Sequence, residues 1–165
     1  MNRRLFVGVL FFVSFFLLVA FSSGTVQWLI QLFTLGVLTG LSVIVVMSLM
    51  QNKTPMITRY ALLMGAEDSP EERSYTRKVT WVWALFFIAL LILKSEALLS
   101  DQLATSLGFV ELVFYAGSGV LFVGEFYIRQ WFLPAHRGSS LWSFLHQLSQ
   151  VSPKEVWEFD AKGEP

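Results

Sequence analysis

The chain has 165 residues, of which 55% are hydrophobic, 16% aromatic and only 15% charged, with zero formal net charge and no cysteine. That balance is too apolar for a soluble domain of this length and gives no electrostatic basis for nucleic-acid binding. The missing cysteine excludes disulfides, thiolate nucleophiles and cysteine-ligated zinc.

The first apolar run, residues 5–21, follows Arg3 and Arg4. It sits at the short end of what crosses a bilayer, which takes about 20 residues. Two readings stay open: a retained span, which its phenylalanine-rich core favours, and a signal peptide cleaved near Ala20-Phe21-Ser22. The second run, residues 26–50, carries Gly36 and Gly40 in the GxxxG spacing that lets helix backbones approach closely, with packing inside a bundle as its expected use.

Between the second and third runs, Thr54-Pro55 reads as a helix start. Met56, Ile57, Tyr60, Leu63 and Met64 then share one face with Arg59 off it, and Gly65 can end the helix. Such a segment lies in the headgroup region as an amphipathic helix, or packs under the bundle as a plain connector. Ser69-Pro70-Glu71-Glu72 is a capping box with proline in the first turn. It starts a helix that runs through Tyr75-Thr76-Arg77-Lys78 into the third run, residues 79–99. The fourth run covers residues 107–133. After Pro134 the chain turns polar. Ser139 or Ser140 can cap a helix over about 140–151, whose apolar face is Leu141, Trp142, Phe144, Leu145, Leu148 and Val151. Pro153 is expected to end it, with disorder from Asp160 to Pro165. The organisation is thus a four-span domain, 1–133, and a tail, 134–165.

Basic residues orient the spans. Arg3 and Arg4, then Lys53, Arg59, Arg73, Arg77 and Lys78, then Arg129, Arg137, Lys154 and Lys162 all fall on one side of four spans. Lys94 alone falls toward the other. The expected fold is all-α: an integral membrane four-helix bundle with both termini cytoplasmic and short interfacial amphipathic helices in the central loop and tail.

The fourth run carries a polar stripe, Glu111, Tyr115, Ser118, Glu125 and Arg129, at helical spacing. The third carries Arg77, Thr80, Ala84, Phe87, Leu91 and Lys94. A short loop joins the two runs, so they form an antiparallel hairpin in which residues at equal depth have position numbers of nearly constant sum. Two ion pairs are expected: Lys94–Glu111 near the outer surface, and Arg77–Glu125 near the inner one with Arg129 sharing the carboxylate. A carboxylate within a bilayer is costly unless paired, wet or protonated. The structural reading is that these pairs satisfy each other and set register. The functional reading is that Glu125 or Glu111 lines a polar cavity for a headgroup, a proton or a polar substrate.

Catalytic signals are sparse. His136 and His146 lack ligand spacing, and Gly117-Ser118-Gly119 is not the nucleophile elbow. No phosphate loop, dinucleotide fingerprint or metal motif occurs, so no catalytic residue, metal or cofactor is assigned.

Three segments carry a family resemblance: Pro55-x-Ile57-x-Arg59-Tyr60-Ala61, the run from Tyr75-Thr76-Arg77-Lys78-Val79-Thr80 to Phe86-Phe87, and Leu121-Phe122-Val123-Gly124-Glu125-Phe126. Over roughly residues 55–129 the chain resembles small inner-membrane proteins of Gram-negative bacteria encoded beside fatty-acid-like or aryl-polyene biosynthesis genes. Some of these bear the label ketosynthase, but condensing enzymes use a cysteine nucleophile and a large soluble fold, and this chain has neither. The positions matching the family's charged residues are Arg59, Arg77 and Glu125. Leu90 stands where the family has asparagine, and Val110-Glu111 where it has Asn-Gly, so Lys94 and Glu111 are particular to this chain.

The resemblance implies a place in the cell inner membrane at the end of a lipid-like pathway. The expected role is a non-catalytic accessory or scaffold protein, with membrane lipids and pathway proteins as partners and an oligomer possible. The alternatives are a small subunit of a lipid-like product transporter or flippase, or a membrane enzyme acting on lipid headgroups through Glu125. Arg59, Arg77, Glu125 and Arg129 form the expected polar cluster, and Lys94 and Glu111 the structural pair.

Overall fold

The computed structural model describes residues 24–50, 53–99, 103–133 and 138–161. The expected first span and the signal-peptide reading lie outside them. The described elements are α1 (Gly24–Ser48), α2 (Met56–Leu63), α3 (Pro70–Leu99), α4 (Leu103–Phe132), α5 (Leu141–Gln150), α6 (Pro153–Glu158) and a 3-10 turn, Phe159–Ala161. Among the described residues there is no strand. Three stretches are long and apolar enough to cross a membrane: Trp28–Ser48, Pro70–Leu99 and Gly108–Phe132.

Contacts divide the chain within α1, at Leu38/Thr39. In the first unit the described residues are the opening turns of α1, with Gln31 and Leu38 buried and Trp28 and Phe33 exposed. Nothing described lies within 4 Å of a Cβ placed on Gly36 or Gly40.

The second unit is built on the α3–α4 hairpin. Position numbers of facing residues sum to 201 for Glu72–Arg129, 205 for Lys94–Glu111 and 207 for Ala97–Val110. This near-constant sum is the signature of an antiparallel pair in even register. At Gly117 an added Cβ would lie 2.9 Å from the Phe86 ring. Glycine leaves room there for the ring, which a larger residue would force to shift, in the way small residues admit neighbours in membrane helix pairs. Phe86 is itself held by Trp83 and Phe87, with ring centroids 6.0 and 5.9 Å away. The outward faces of the hairpin are apolar and exposed, including Leu85, Ile92, Leu112 and Val120, as a lipid-facing surface requires.

The buried stripe of α3 is Glu72, Thr76, Thr80, Ala84, Phe87, Leu90, Lys94 and Ala97. It matches the expected stripe from Thr80 to Phe87 and at Lys94, but steps four residues back from Thr80 to Thr76, not three to Arg77. Ser69 caps the helix, its Oγ accepting from Glu72 N–H at 3.1 Å. The reciprocal half of the capping box is replaced: Ser69 N–H donates to the Glu67 carbonyl, and the Glu72 carboxylate turns toward the hairpin.

Helix α2 starts behind Pro55 and ends before Gly65, whose φ of +88° is the left-handed conformation that glycine adopts freely. Its buried residues are Thr58, Arg59 and Ala61. The expected apolar face is only half-buried and Arg59 points inward, because a threonine ladder decides the packing. The Thr58 and Thr76 hydroxyls lie 2.7 Å apart, Thr76 Oγ1 donates to Glu72 O, and Thr80 Oγ1 donates to Thr76 O and accepts from Ile57 N–H. All three threonines are fully buried, so each hydroxyl must be satisfied within the protein. Helix α2 is therefore a connector packed against the start of α3.

Two expectations for the tail are corrected. Pro153 does not only follow α5; it is the first residue of α6, which Ser152 and Glu155 cap reciprocally, a position that suits proline because its missing N–H has no helical partner there. Asp160 is ordered in the 3-10 turn, where the Arg59 guanidinium holds it. The Ser140 cap is present, its Oγ accepting from Trp142 N–H at 3.2 Å.

Candidate functional site

Polar side chains gather where α2, the start of α3, the end of α4 and the tail meet. At the centre is Arg129, 4% exposed in the last turn of α4. Its Nε donates to Glu125 Oε1 at 2.8 Å, one helical turn back, and its Nη1 lies 4.0 Å from Glu72 Oε1 on α3. Tyr75 Oη donates to the Glu125 carbonyl oxygen, and its ring stacks on Phe132 at 6.0 Å. Phe144 of α5 covers the guanidinium at 5.9 Å and packs on Phe122 and Phe126. One cation thus faces two carboxylates under an aromatic lid, its charge set between two acids that would otherwise face each other.

A second clasp binds the tail. Arg59 Nε donates to Thr54 O at 2.7 Å, Nη1 to Val156 O at 3.2 Å and Nη2 to Asp160 Oδ2 at 2.6 Å. Asp160 also accepts from Thr54 N–H. One planar fork thereby ties the loop before α2 to α6 and the terminal turn.

Of the sequence-derived cluster, Glu125 and Arg129 come together, while Arg59 and Arg77 lie elsewhere. Arg77 does not reach Glu125, although the two are nearly level. It is one residue, hence about 100°, off the buried face of α3, and donates to the Leu49 carbonyl at 3.2 Å. At this end of the hairpin the α3 residue that faces α4 is Glu72, opposite Arg129. Sequence reasoning missed Glu72 because it fits a capping box; the signal for it was its spacing of four and eight residues before Thr76 and Thr80. It missed Asp160 because nothing local marks a terminal aspartate as a partner for an arginine about one hundred positions earlier. At the other end of the hairpin, Lys94 Nζ lies 3.7 Å from Glu111 Oε1, with Lys94 1% exposed.

Beside Arg129 opens a cavity of about 530 Å³ between α2, the hairpin and the tail. Ile57, Tyr60, Trp83, Phe122 and Leu148 make its lining mainly apolar, and Glu125 and Arg129 form its polar wall. Among the described residues no group of three His, Asp or Glu side chains is placed to hold a metal ion; His146 is exposed and His136 lies outside the described residues. The arrangement can bind an amphiphile with an apolar body and a hydrogen-bonding end. The fold defines a helical protein with three segments able to span a bilayer. Set against protein-family models, characterised proteins and solved structures, the chain matches none of them.

Proposed function

We propose that this is a non-catalytic accessory protein of the cell inner membrane, a four-span bundle with residues 5–21 as its first span and both termini cytoplasmic. Its polar end holds pathway enzymes, or carrier-bound acyl intermediates, at the membrane face of a fatty-acid-like or aryl-polyene pathway. The pathway rests on the family resemblance. The sidedness is supported by the gathering of Arg59, Arg73, Arg77, Lys78 and Arg129 around one end of the hairpin, in keeping with the positive-inside rule.

The observation that carries the non-catalytic reading is that both stripe carboxylates are paired within the hairpin, Glu125 with Arg129 at 2.8 Å and Glu111 with Lys94 at 3.7 Å. A carboxylate engaged by a buried arginine on its own helix serves to fix register, and its oxygen is already occupied. The cavity favours a second reading, a subunit that handles a lipid-like product, because an apolar lining with one polar wall suits such a molecule.

The test is deletion of the gene with lipid and pigment analysis, followed by complementation with Glu125→Gln. Accessory function predicts loss of product on deletion, restoration by Glu125→Gln, and recovery of pathway enzymes with the tagged protein. A folded Glu125→Gln protein that fails to restore product would shift the assignment to product handling or headgroup chemistry.

A further inference from the structure

A second cavity, about 420 Å³, lies on another side of α2, lined by Lys53, Thr54, Thr58, Arg73, Ser74 and Arg77 among others. We infer that it is a binding site for a phosphate-bearing anion. Three cations and no acid line it. Arg73 is partly neutralised by Asp68, whose Oδ2 accepts from Nη2 at 2.7 Å, leaving a net local charge of plus two. That hydrogen bond holds the Asp68 carboxyl below its usual range, so the pair persists until the pH falls below that range and Asp68 does not move between charge states near neutrality.

The cations are available in different degrees. Arg77 gives one Nη2 donor to the Leu49 carbonyl, and its other N–H groups remain for a ligand. The Lys53 side chain is exposed and forms no bond among the described residues. The first two amides of α2 are already engaged, Met56 N–H by Ser48 Oγ and Ile57 N–H by Thr80 Oγ1, so recognition falls to the side chains and not to a helix terminus. Arginine forks and a lysine point charge converging with a serine hydroxyl are the usual recognition set for phosphate oxygens. The location fits a membrane ligand: the cavity lies beside the charged first turns of α3, just before its apolar run begins at Val79. A lipid phosphate and a soluble phosphate present the same oxygens there.

The experiment uses the full-length protein in neutral detergent. One arm titrates phosphatidic acid against phosphatidylcholine by native mass spectrometry; the other titrates inorganic phosphate by calorimetry. Lys53→Gln, Arg77→Gln and, as a control on the tail, Lys154→Gln are compared with the parent. Saturable binding is expected in at least one arm, weakened roughly fivefold by removing either Lys53 or Arg77 and unchanged in the control. Binding in the first arm alone assigns a lipid headgroup, and binding in the second a soluble phosphate. No saturable binding in either arm, or binding that Lys53→Gln leaves unaltered, overturns the site. Lys53→Gln breaks no described contact, so it decides the matter even if Arg77→Gln loosens the loop at Leu49.

Discussion

Arg129 is the residue on which the polar end depends. Replacing it with glutamine leaves Glu72 and Glu125 facing each other in a site 4–11% exposed. Removing one partner from such a buried cluster costs about 3–5 kcal/mol. Glu125→Gln keeps an acceptor for Arg129 and leaves Glu72 as counter-charge, so it should cost only about 1 kcal/mol. Unfolding in detergent, followed by helical circular dichroism, should rank Arg129→Gln well below Glu125→Gln; equal losses would remove Arg129 from the centre. At the opposite end, Lys94→Glu and Glu111→Lys should each lower the same midpoint, and the double swap should recover most of the loss. Two independent losses that add would show that the pair contributes nothing as a pair. The Lys94–Glu111 contact was legible as a constant sum of position numbers. The partner of Glu125 was only half legible, because steps of three and four are both helical, and packing chose Thr76 over Arg77.

At the scale of elements, the hairpin leaves no room for a side chain at Gly117 beside the Phe86 ring. Gly117→Val should push the Phe86 ring against Trp83 and Phe87 and separate the helices. Overpacking of this kind costs about 1–3 kcal/mol, and cysteine pairs placed along α3 and α4 should crosslink less efficiently there than in the parent. Unchanged crosslinking would mean that the ring moves without cost. The third and fourth runs and the caps at Ser69 and Ser140 could be read in advance, because hydropathy, proline and capping side chains act over a few residues. The orientation of α2 could not. Its apolar positions outnumber its polar ones on the expected face, yet Thr58 and Arg59 turn the other face inward, since Thr58 bonds Thr76 of α3 and Arg59 bonds Val156 and Asp160 of the tail as well as Thr54.

At the scale of the whole molecule, the Arg59 fork fastens the end of the tail, at Val156 and Asp160, to the loop before α2. Asp160→Ala removes a charge-assisted bond of about 1.5–3 kcal/mol, while Arg59 keeps its bonds to Thr54 O and Val156 O. Limited proteolysis should then cut near Trp157 faster than in the parent, with the hairpin intact. Cleavage at the parental rate would place the anchoring elsewhere, in the Phe144 packing on α4. Because Asp160 is 32% exposed on its side chain, the bond is open to competition from water and from partners.

The amino-acid sequence by itself determined that the chain is helical and apolar, that at least three of its segments can cross a bilayer, and that two of these lie antiparallel with charges on facing sides. Those properties follow from composition, periodicity and short loops, which act locally. Only the tertiary structure decided that Glu72 shares Arg129 with Glu125, that Arg77 turns to Leu49, and that Asp160 closes on Arg59. Each of those choices depends on helix rotation and on contacts between residues far apart in the chain, where a difference of one position, about 100° around a helix, selects a different partner.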